Sequence, residues 1–539
     1  MKEKFSKING KFYIALSGLL LGASVAFAEI GIMAYFALIP LALVLYCKLF
    51  GESYSTKSAY LDGFIFFLCF DIVTFHWFTY FYPLDFAGLN NFEAIIVILL
   101  AWLGLSAVQG VFSAFVFVVL SKLARVQFVK NHPILIAFFA PMLFVVNEWT
   151  QTFTWAGVPW SRIAISQTEM PIFLQTASLF GSYFITFVIV LCNFLVAFVV
   201  FSKDAKKLAL KLVCGVMAGF VVLSTVLYFI PFANKERPVK IATVQGNFLS
   251  QENSGSLFYD GRLARYRDLS IEATKEGAEV IIWPEGVFPR DISSKVELDG
   301  KLVKIDEFVE KLSSEIGVTI IIGTVVEDVE NEKAYNCVSA FYPDGTSEIG
   351  AYSKIRIVPF GEFIPMRSFI ESVLPILAQV FTLPTSLTPG EKSTTFGATA
   401  SEDAIQIGTL LCFDSIYETL GIDSARAGAE IFIVPSDDSW FYDSRALNMH
   451  HAQNILRAVE QGKYTVNSGN TGMSSFVSDK GEVISKLPIF TADYLIETVY
   501  PSSHRTLYSY IGNLFVYLCV AATILPFVWQ ASKKIKDKK

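Results

Sequence analysis

Three reactive side chains close apolar, strand-like runs in the second half of the chain. Glu285 follows the run in AEVIIWPEG, Lys354 sits in GAYSKIRIVPFGEFIP, and Cys412 ends AIQIGTLLC. A thiolate can attack a carbonyl, a carboxylate can take and return its proton, and an ammonium can stabilise both the thiolate and a developing oxyanion. Together they supply the parts for acyl transfer through a covalent thioester. An unperturbed thiol, of pKa about 8.5, is mostly protonated at neutral pH, so a neighbouring Lys would matter. Singly, each is weak evidence. A Glu at a strand end is more often a solvated turn residue, and a free Cys is more often a small core residue.

Other chemistries find less support. The remaining cysteines are Cys47, Cys69, Cys192, Cys214, Cys337 and Cys519, with no CxxC pair and no zinc-like spacing to histidine. His450 and His451 are adjacent, lack metal-ligand spacing, and read as helix-surface or packing residues. No metal or cofactor is expected. The formal charge is −6, and no basic stripe is interleaved with aromatics, so nucleic acid is not an expected partner.

The elements that must position the three groups lie between residues 235 and 505. VKIATVQGN, AEVIIWPEG, VTIIIGTVVE, AYNCVSAFYP, AIQIGTLLCFD, AEIFIVPSD and KYTVNSGN predict strands. GRLARYRDLSIEATKEG and SRALNMHHAQNILRAVEQG predict helices between them. Alternation of this kind predicts an α/β layered domain, with reacting groups gathered beyond the carboxyl ends of the strands.

Outside that insert the chain is a membrane protein. It has 539 residues, 53% of them hydrophobic and only 17% charged. Candidate spans fall near 12–28, 30–50, 60–81, 94–121, 133–150, 182–201, 208–231 and 508–530. Basic residues occupy every second connection: Lys2 to Lys11, Lys48 and Lys57, Lys122 to Lys130, Lys203 to Lys207, and Lys533 to Lys539. Eight spans with both termini in the cytoplasm satisfy this pattern. The expected domains are 1–234 with seven spans, an outward-facing 235–505, and 506–539 with the last span and a basic tail. A secretory signal ending at Ala28 would leave seven spans; the immediate return of apolar residues favours a hairpin. Asp71, Glu93 and Glu148 fall near span ends, which argues against an ion or solute pathway. The aromatic loop 148–173, with Trp149, Phe153, Trp155 and Trp160, suits either interfacial anchoring or contact with substrate.

WPEG at 283–286, SKIRIVPFGEFIP at 353–365 and LLCFDS at 410–415 resemble the Glu-Lys-Cys triad of the nitrilase (carbon–nitrogen hydrolase) superfamily. With its spans, VQGN at 244–247, GVPW at 157–160, and SDDSWF followed by HHAQNILRAVEQG, the chain resembles the apolipoprotein N-acyltransferases. The resemblance implies a polytopic helical membrane domain of about eight spans plus a nitrilase-like αββα sandwich, in a bacterial cytoplasmic membrane. It implies Glu285 as general base, Lys354 as stabiliser of the oxyanion and Cys412 as nucleophile, supported by Glu362, Phe413 and Asp414. Trp160 and Trp440 are the expected substrate contacts. The implied reaction moves the sn-1 acyl chain of a phospholipid, phosphatidylethanolamine foremost, to the amine of a diacylglyceryl-cysteine lipoprotein, with no cofactor. Two features depart from the family pattern. Asp414 stands where Glu is usual, and no Trp follows the VQGN stretch before Trp283, leaving Phe258 or Tyr259 to substitute. The apolar segment 366–387 is read as either core or a membrane-dipping lid. A membrane-bound amidase, or a lipid-binding scaffold, is the alternative function.

Overall fold

The computed structural model describes residues 10–51, 54–84, 88–202, 205–248, 256–373, 386–401 and 403–537. The chain forms two compact units. One comprises Met1–Thr79, Ile96–Ile230 and Ile511–Lys539, the other Tyr80–Ile95 and Pro231–Tyr510. Residues Tyr80–Ile95, expected with the first spans, group instead with the second unit.

Among the described residues, six helices are long and apolar enough to cross a membrane, all of them in the first unit but for the start of the second: Ala28–Leu49, Asn91–Leu123, Pro133–Thr150, Ser182–Phe201, Lys206–Tyr228 and Leu514–Lys536. Two more helices fall where spans were expected. Gly10–Ala26 is apolar but short, and Thr56–Thr74 carries Asp62 and Asp71. These two pack on each other through Gly18 and Gly22, a G-x-x-x-G pair. A Cβ on Gly22 would lie 2.8 Å from the Phe70 carbonyl oxygen, and one on Gly18 would meet that of Phe66. Only glycine permits the two backbones to approach so closely. Asp62 is neutralised by Lys48, 2.6 Å away. Large apolar side chains such as Phe112, Val222 and Leu525 point outward, as lipid-facing surfaces require. This is a polytopic membrane domain.

The second unit is an αββα sandwich. Its first sheet runs Asp493–Val499, Val239–Gln245, Val280–Ile282, Thr319–Asp328, Lys333–Phe341, Ser347–Ser353, with Phe288–Asp291 also paired to Thr319–Asp328. The second runs Val483–Lys486, Ser475–Val477, Thr465–Gly469, Ile431–Ser436, Gln406–Thr409, Thr395–Gly397. The three central strands of each sheet are parallel. Parallel neighbours need crossovers, and helices Ser256–Lys275, Ile305–Ile316, Glu418–Arg426 and Arg445–Gln461 provide them. Alternation along each strand then sorts the side chains. Val280 and Ile282 face the second sheet's Ile407, Ile431 and Ile433, while Ile281 and Trp283 face Leu263 and Tyr266 of the outer helix. Burial on both faces explains the near-continuous apolar runs in the sequence. All seven expected strands are present. Not expected were the outer antiparallel strands, such as Ser347–Ser353 and Asp493–Val499 at the edges of the first sheet and Val483–Lys486 at an edge of the second, which are short or partly exposed.

This layering puts all three reactive residues just past strand ends. Glu285 lies beyond Ile282, Lys354 directly follows Ser353, and Cys412 lies beyond Thr409. Gly323 makes room for the first. A Cβ there would sit 2.6 Å from Glu285 Cα and 2.8 Å from the Pro284 carbonyl oxygen. Both are backbone atoms with no rotamer to escape into. Gly323→Ala is therefore expected to destabilise the unit by about 1–3 kcal/mol and displace Glu285. Thermal melting checks the first effect and Cys412 reactivity the second; a variant unchanged in both would remove Gly323 from this role.

Candidate active site

Lys354 is 1% exposed, and so needs compensating charge. Its Nζ donates to Glu285 Oε1 at 2.8 Å and to Glu362 Oε1 at 2.9 Å. Asn336, on the Lys333–Phe341 strand, bridges the same two oxygens through Nδ2, at 2.7 Å each. The outer oxygens are held by backbone. Glu285 Oε2 accepts from the Asp437 N–H at 3.0 Å, and Glu362 Oε2 from the Val358 N–H at 2.6 Å. Burial alone would push the Glu285 carboxyl up. The Lys354 charge and these hydrogen bonds outweigh it, so the group lies below its ordinary value and is anionic. Burial likewise opposes the Lys354 charge, and Glu285, Glu362 and Cys412 overcome it, holding the ammonium well above its usual range.

Cys412 opens the short 3-10 helix Cys412–Ile416 with φ of +49°. A left-handed non-glycine residue costs on the order of 1–3 kcal/mol and persists only where its surroundings enforce it. The neighbouring contacts are visible: Leu410 N–H donates to Ile433 O at 3.0 Å, and Asp414 N–H to Leu411 O at 3.0 Å. Burial, and then the Glu285 anion, push the thiol well above its ordinary value against the pull of Lys354. At rest the sulfur is thus protonated beside an ionised carboxylate.

Asp414 ties this turn to the lysine. Its Oδ1 accepts from the Arg356 N–H at 2.7 Å, and its Oδ2 from the Tyr352 hydroxyl at 2.6 Å and the Ile355 N–H at 3.3 Å. The carboxylate thus grips the chain on either side of Lys354. Phe413 is half-buried and meets the Tyr417 ring edge-on at 5.6 Å.

Several partners were not legible beforehand. His450 and His451, expected on a helix surface or in packing, are both buried. His450 Nδ1 lies 3.0 Å from both Asp438 oxygens, and its Nε2 lies 3.1 Å from the Cys412 carbonyl oxygen and 2.9 Å from Ser415 Oγ. Burial lowers this imidazole, but Asp438 and the Cys412 carbonyl raise it above its ordinary 6.5. Cys412, Asp438 and His450 place ligand-type atoms within 4.8 Å of one another, a spacing able to hold a divalent ion. Both ring nitrogens, however, are already engaged within the protein. The signal that could have found the pair was Asp438, just past the Ile431–Ser436 strand.

Of the expected substrate contacts, Trp440 lies in the Asp438–Phe441 turn and is 41% exposed. Trp160 belongs to the other unit and is buried, its ring centroid 5.7 Å from that of Trp77. Within 366–387, Arg367–Val373 is helical, and residues 374–385 lie outside the described residues, as do the side chains of Phe258 and Tyr259.

Two families match the chain: Carbon-nitrogen hydrolase over residues 240–507, and the Apolipoprotein N-acyltransferase N-terminal domain over residues 17–195. The chain is similar to the apolipoprotein N-acyltransferase of Haemophilus ducreyi, 28% identical over 437 residues, covering 79% of this chain and 81% of that one. That of Wigglesworthia glossinidia brevipalpis is 26% identical, covering 82% of this chain and 83% of its own. A nitrilase-superfamily protein of Saccharomyces cerevisiae, of solved structure, shares 20% identity at a TM-score of 0.37, over 52% of this chain and 97% of its own. Fold and matches together define a carbon–nitrogen hydrolase domain joined to a polytopic membrane domain. The chain belongs to the apolipoprotein N-acyltransferase family.

The Asp414 clamp gives a pH dependence. Burial pushes this carboxyl from 3.8 up to about 7, despite the Tyr352 hydroxyl, the Lys354 charge and the backbone donors that favour the anion. As pH falls through about 7 the group takes a proton and releases part of its grip on the Lys354 segment. Acylation of Cys412 by an activated ester should fall across that range, while Glu285 stays ionised. In Asp414→Asn the rate should be lower and this limb absent; a limb retained there would assign it elsewhere. The effect on stability runs the opposite way. A value raised from 3.8 to about 7 makes the group's contribution greatest at low pH and lost as pH rises through about 7.

Proposed function

We propose that this protein transfers the sn-1 fatty acyl chain of a phospholipid, with phosphatidylethanolamine as donor, to the N-terminal amine of a diacylglyceryl-cysteine lipoprotein. The observation that carries this reading is a buried ammonium shared by two carboxylates beside a strained cysteine, in a chain that also bears the N-acyltransferase membrane domain. Glu285 takes the proton from Cys412 as the sulfur attacks the ester carbonyl, and the Lys354 ammonium stabilises the oxyanion. The C–O bond then breaks, and Glu285 returns the proton to the departing lysophospholipid oxygen, leaving a thioester. In the second half, the acceptor's neutral amine attacks the thioester. Glu285 takes a proton from the nitrogen, the C–S bond breaks, and that proton goes back to sulfur. Glu362 and Asn336 hold Lys354 and Glu285 in register through both halves.

Both substrates are lipids, which is what the membrane domain supports. The basic connections favour a catalytic domain on the extracytoplasmic side, where it meets donor and acceptor in two dimensions. Trp440, exposed in the Asp438–Phe441 turn, is the proposed substrate contact; Trp160 is buried against Trp77 and is not proposed for that role. Hydrolysis is the competing reaction of the same machinery.

A phospholipid labelled in its sn-1 chain, incubated with a synthetic diacylglyceryl-cysteinyl peptide, separates the two. The expected products are labelled N-acyl peptide and unlabelled lysophospholipid, both lost in Cys412→Ser. Labelled free fatty acid without N-acyl peptide would establish a hydrolase instead.

A further inference from the structure

His450 touches the nucleophile's own peptide, and the chemistry of its contacts bears on its charge. A carbonyl oxygen only accepts, so a hydrogen bond between Nε2 and the Cys412 oxygen, 3.1 Å apart, requires a hydrogen on Nε2; Ser415 Oγ, the nearer neighbour at 2.9 Å, accepts from that hydrogen or donates to a bare Nε2. A carboxylate also only accepts, and Nδ1 stands 3.0 Å from both Asp438 oxygens, so it too carries one. With hydrogens on both nitrogens the ring is an imidazolium paired with Asp438. Both residues are buried, at 1% and 4% exposure, so the pair is little screened by water. Its target is the residue with left-handed backbone, φ +49°.

We propose that His450, held as a cation by Asp438, is a positioning residue for acyl transfer: its Nε2–H pins the Cys412 carbonyl and so fixes the turn that aims the sulfur at Glu285. The helix Arg445–Gln461 brings His450 to this point, and the turn after the Ile431–Ser436 strand brings Asp438. Ser415 Oγ, 2.9 Å from Nε2, shares the donated hydrogen and ties the ring to the 3-10 helix that Cys412 opens. The charged and titratable groups facing the ring are Asp438, Cys412, Glu285 and His451. Losing the proton from His450 removes the donor that holds the turn.

The inference rests on the acyl-transfer reading for the identity of the nucleophile, and its test separates the two. The rate of thioester formation from phosphatidylethanolamine is measured against pH for wild type, His450→Gln, His450→Ala and Asp438→Asn, each first checked by thermal melting. A lost hydrogen bond to a charged donor should slow thioester formation roughly 10- to 100-fold in His450→Ala, with the donor's KM unchanged. His450→Gln, which can still offer an N–H, should recover part of the rate. The wild-type rate should fall as pH rises and the imidazolium is lost. That alkaline limb should move to lower pH in Asp438→Asn and vanish in His450→Gln. A merely structural role would leave the limb where it is. A folded His450→Gln with the wild-type rate and profile overturns the proposal, as does a change confined to KM. If wild type forms no thioester, the acyl-transfer reading is what fails. The pair is then judged on alkylation of Cys412 by iodoacetamide, where an unchanged pH profile in His450→Gln overturns it.

Discussion

An ammonium shielded from water at 1% exposure is stable only if anions meet it at hydrogen-bond distance, and Lys354 is met by two. That requirement organises the catalytic unit. It places Glu285, Glu362 and Asn336 in one small volume, fixes the ionisation of Glu285, and sets a buried cation beside Cys412. The cost of burying these charges is high, and a fully hydrogen-bonded set is what offsets it. Each outer carboxylate oxygen is therefore anchored to a backbone N–H, so the charges are held in place by the fold itself.

The fold meets this demand by bringing strand ends together. Glu285 and Lys354 come from one sheet, Cys412 and Asp438 from the other, and the apolar layer between the sheets sets their separation. Asp414 and Asp437 then work across that division. Asp414 reaches from the nucleophile's turn to the Lys354 segment, and the Asp437 N–H reaches to Glu285. Displacing either sheet would separate Glu285 from Cys412. A site assembled in this way gains rigidity from the whole sandwich, which the proposed transfer would need to keep water from an acyl intermediate.

Glu285, Lys354 and Cys412 were legible in the sequence because each closes an apolar run, and an apolar run bounded by a polar residue marks a strand end. Asn336 was not, because it sits inside a strand and acquires its role only from the register with its neighbours. His450 was missed for a different reason. The helix Arg445–Gln461 is buried nearly all round, so its polar residues carry no signal of which face is solvated. Asp438 and Lys354 reach their partners only through tertiary structure. In the membrane unit, hydropathy located the spans well, but Thr56–Thr74 reads as a weak span because Asp62 and Asp71 are satisfied or enclosed by packing rather than by composition.

The central claim is that Cys412 carries the acyl group. Intact-protein mass spectrometry of the purified protein incubated with phosphatidylethanolamine, beside Cys412→Ser, tests it most directly. The account predicts a gain of one fatty acyl chain on the wild type, labile to hydroxylamine and absent from the variant. A folded wild type that gains nothing and releases no free fatty acid from any of several donors, or a gain that survives in Cys412→Ser, would contradict it.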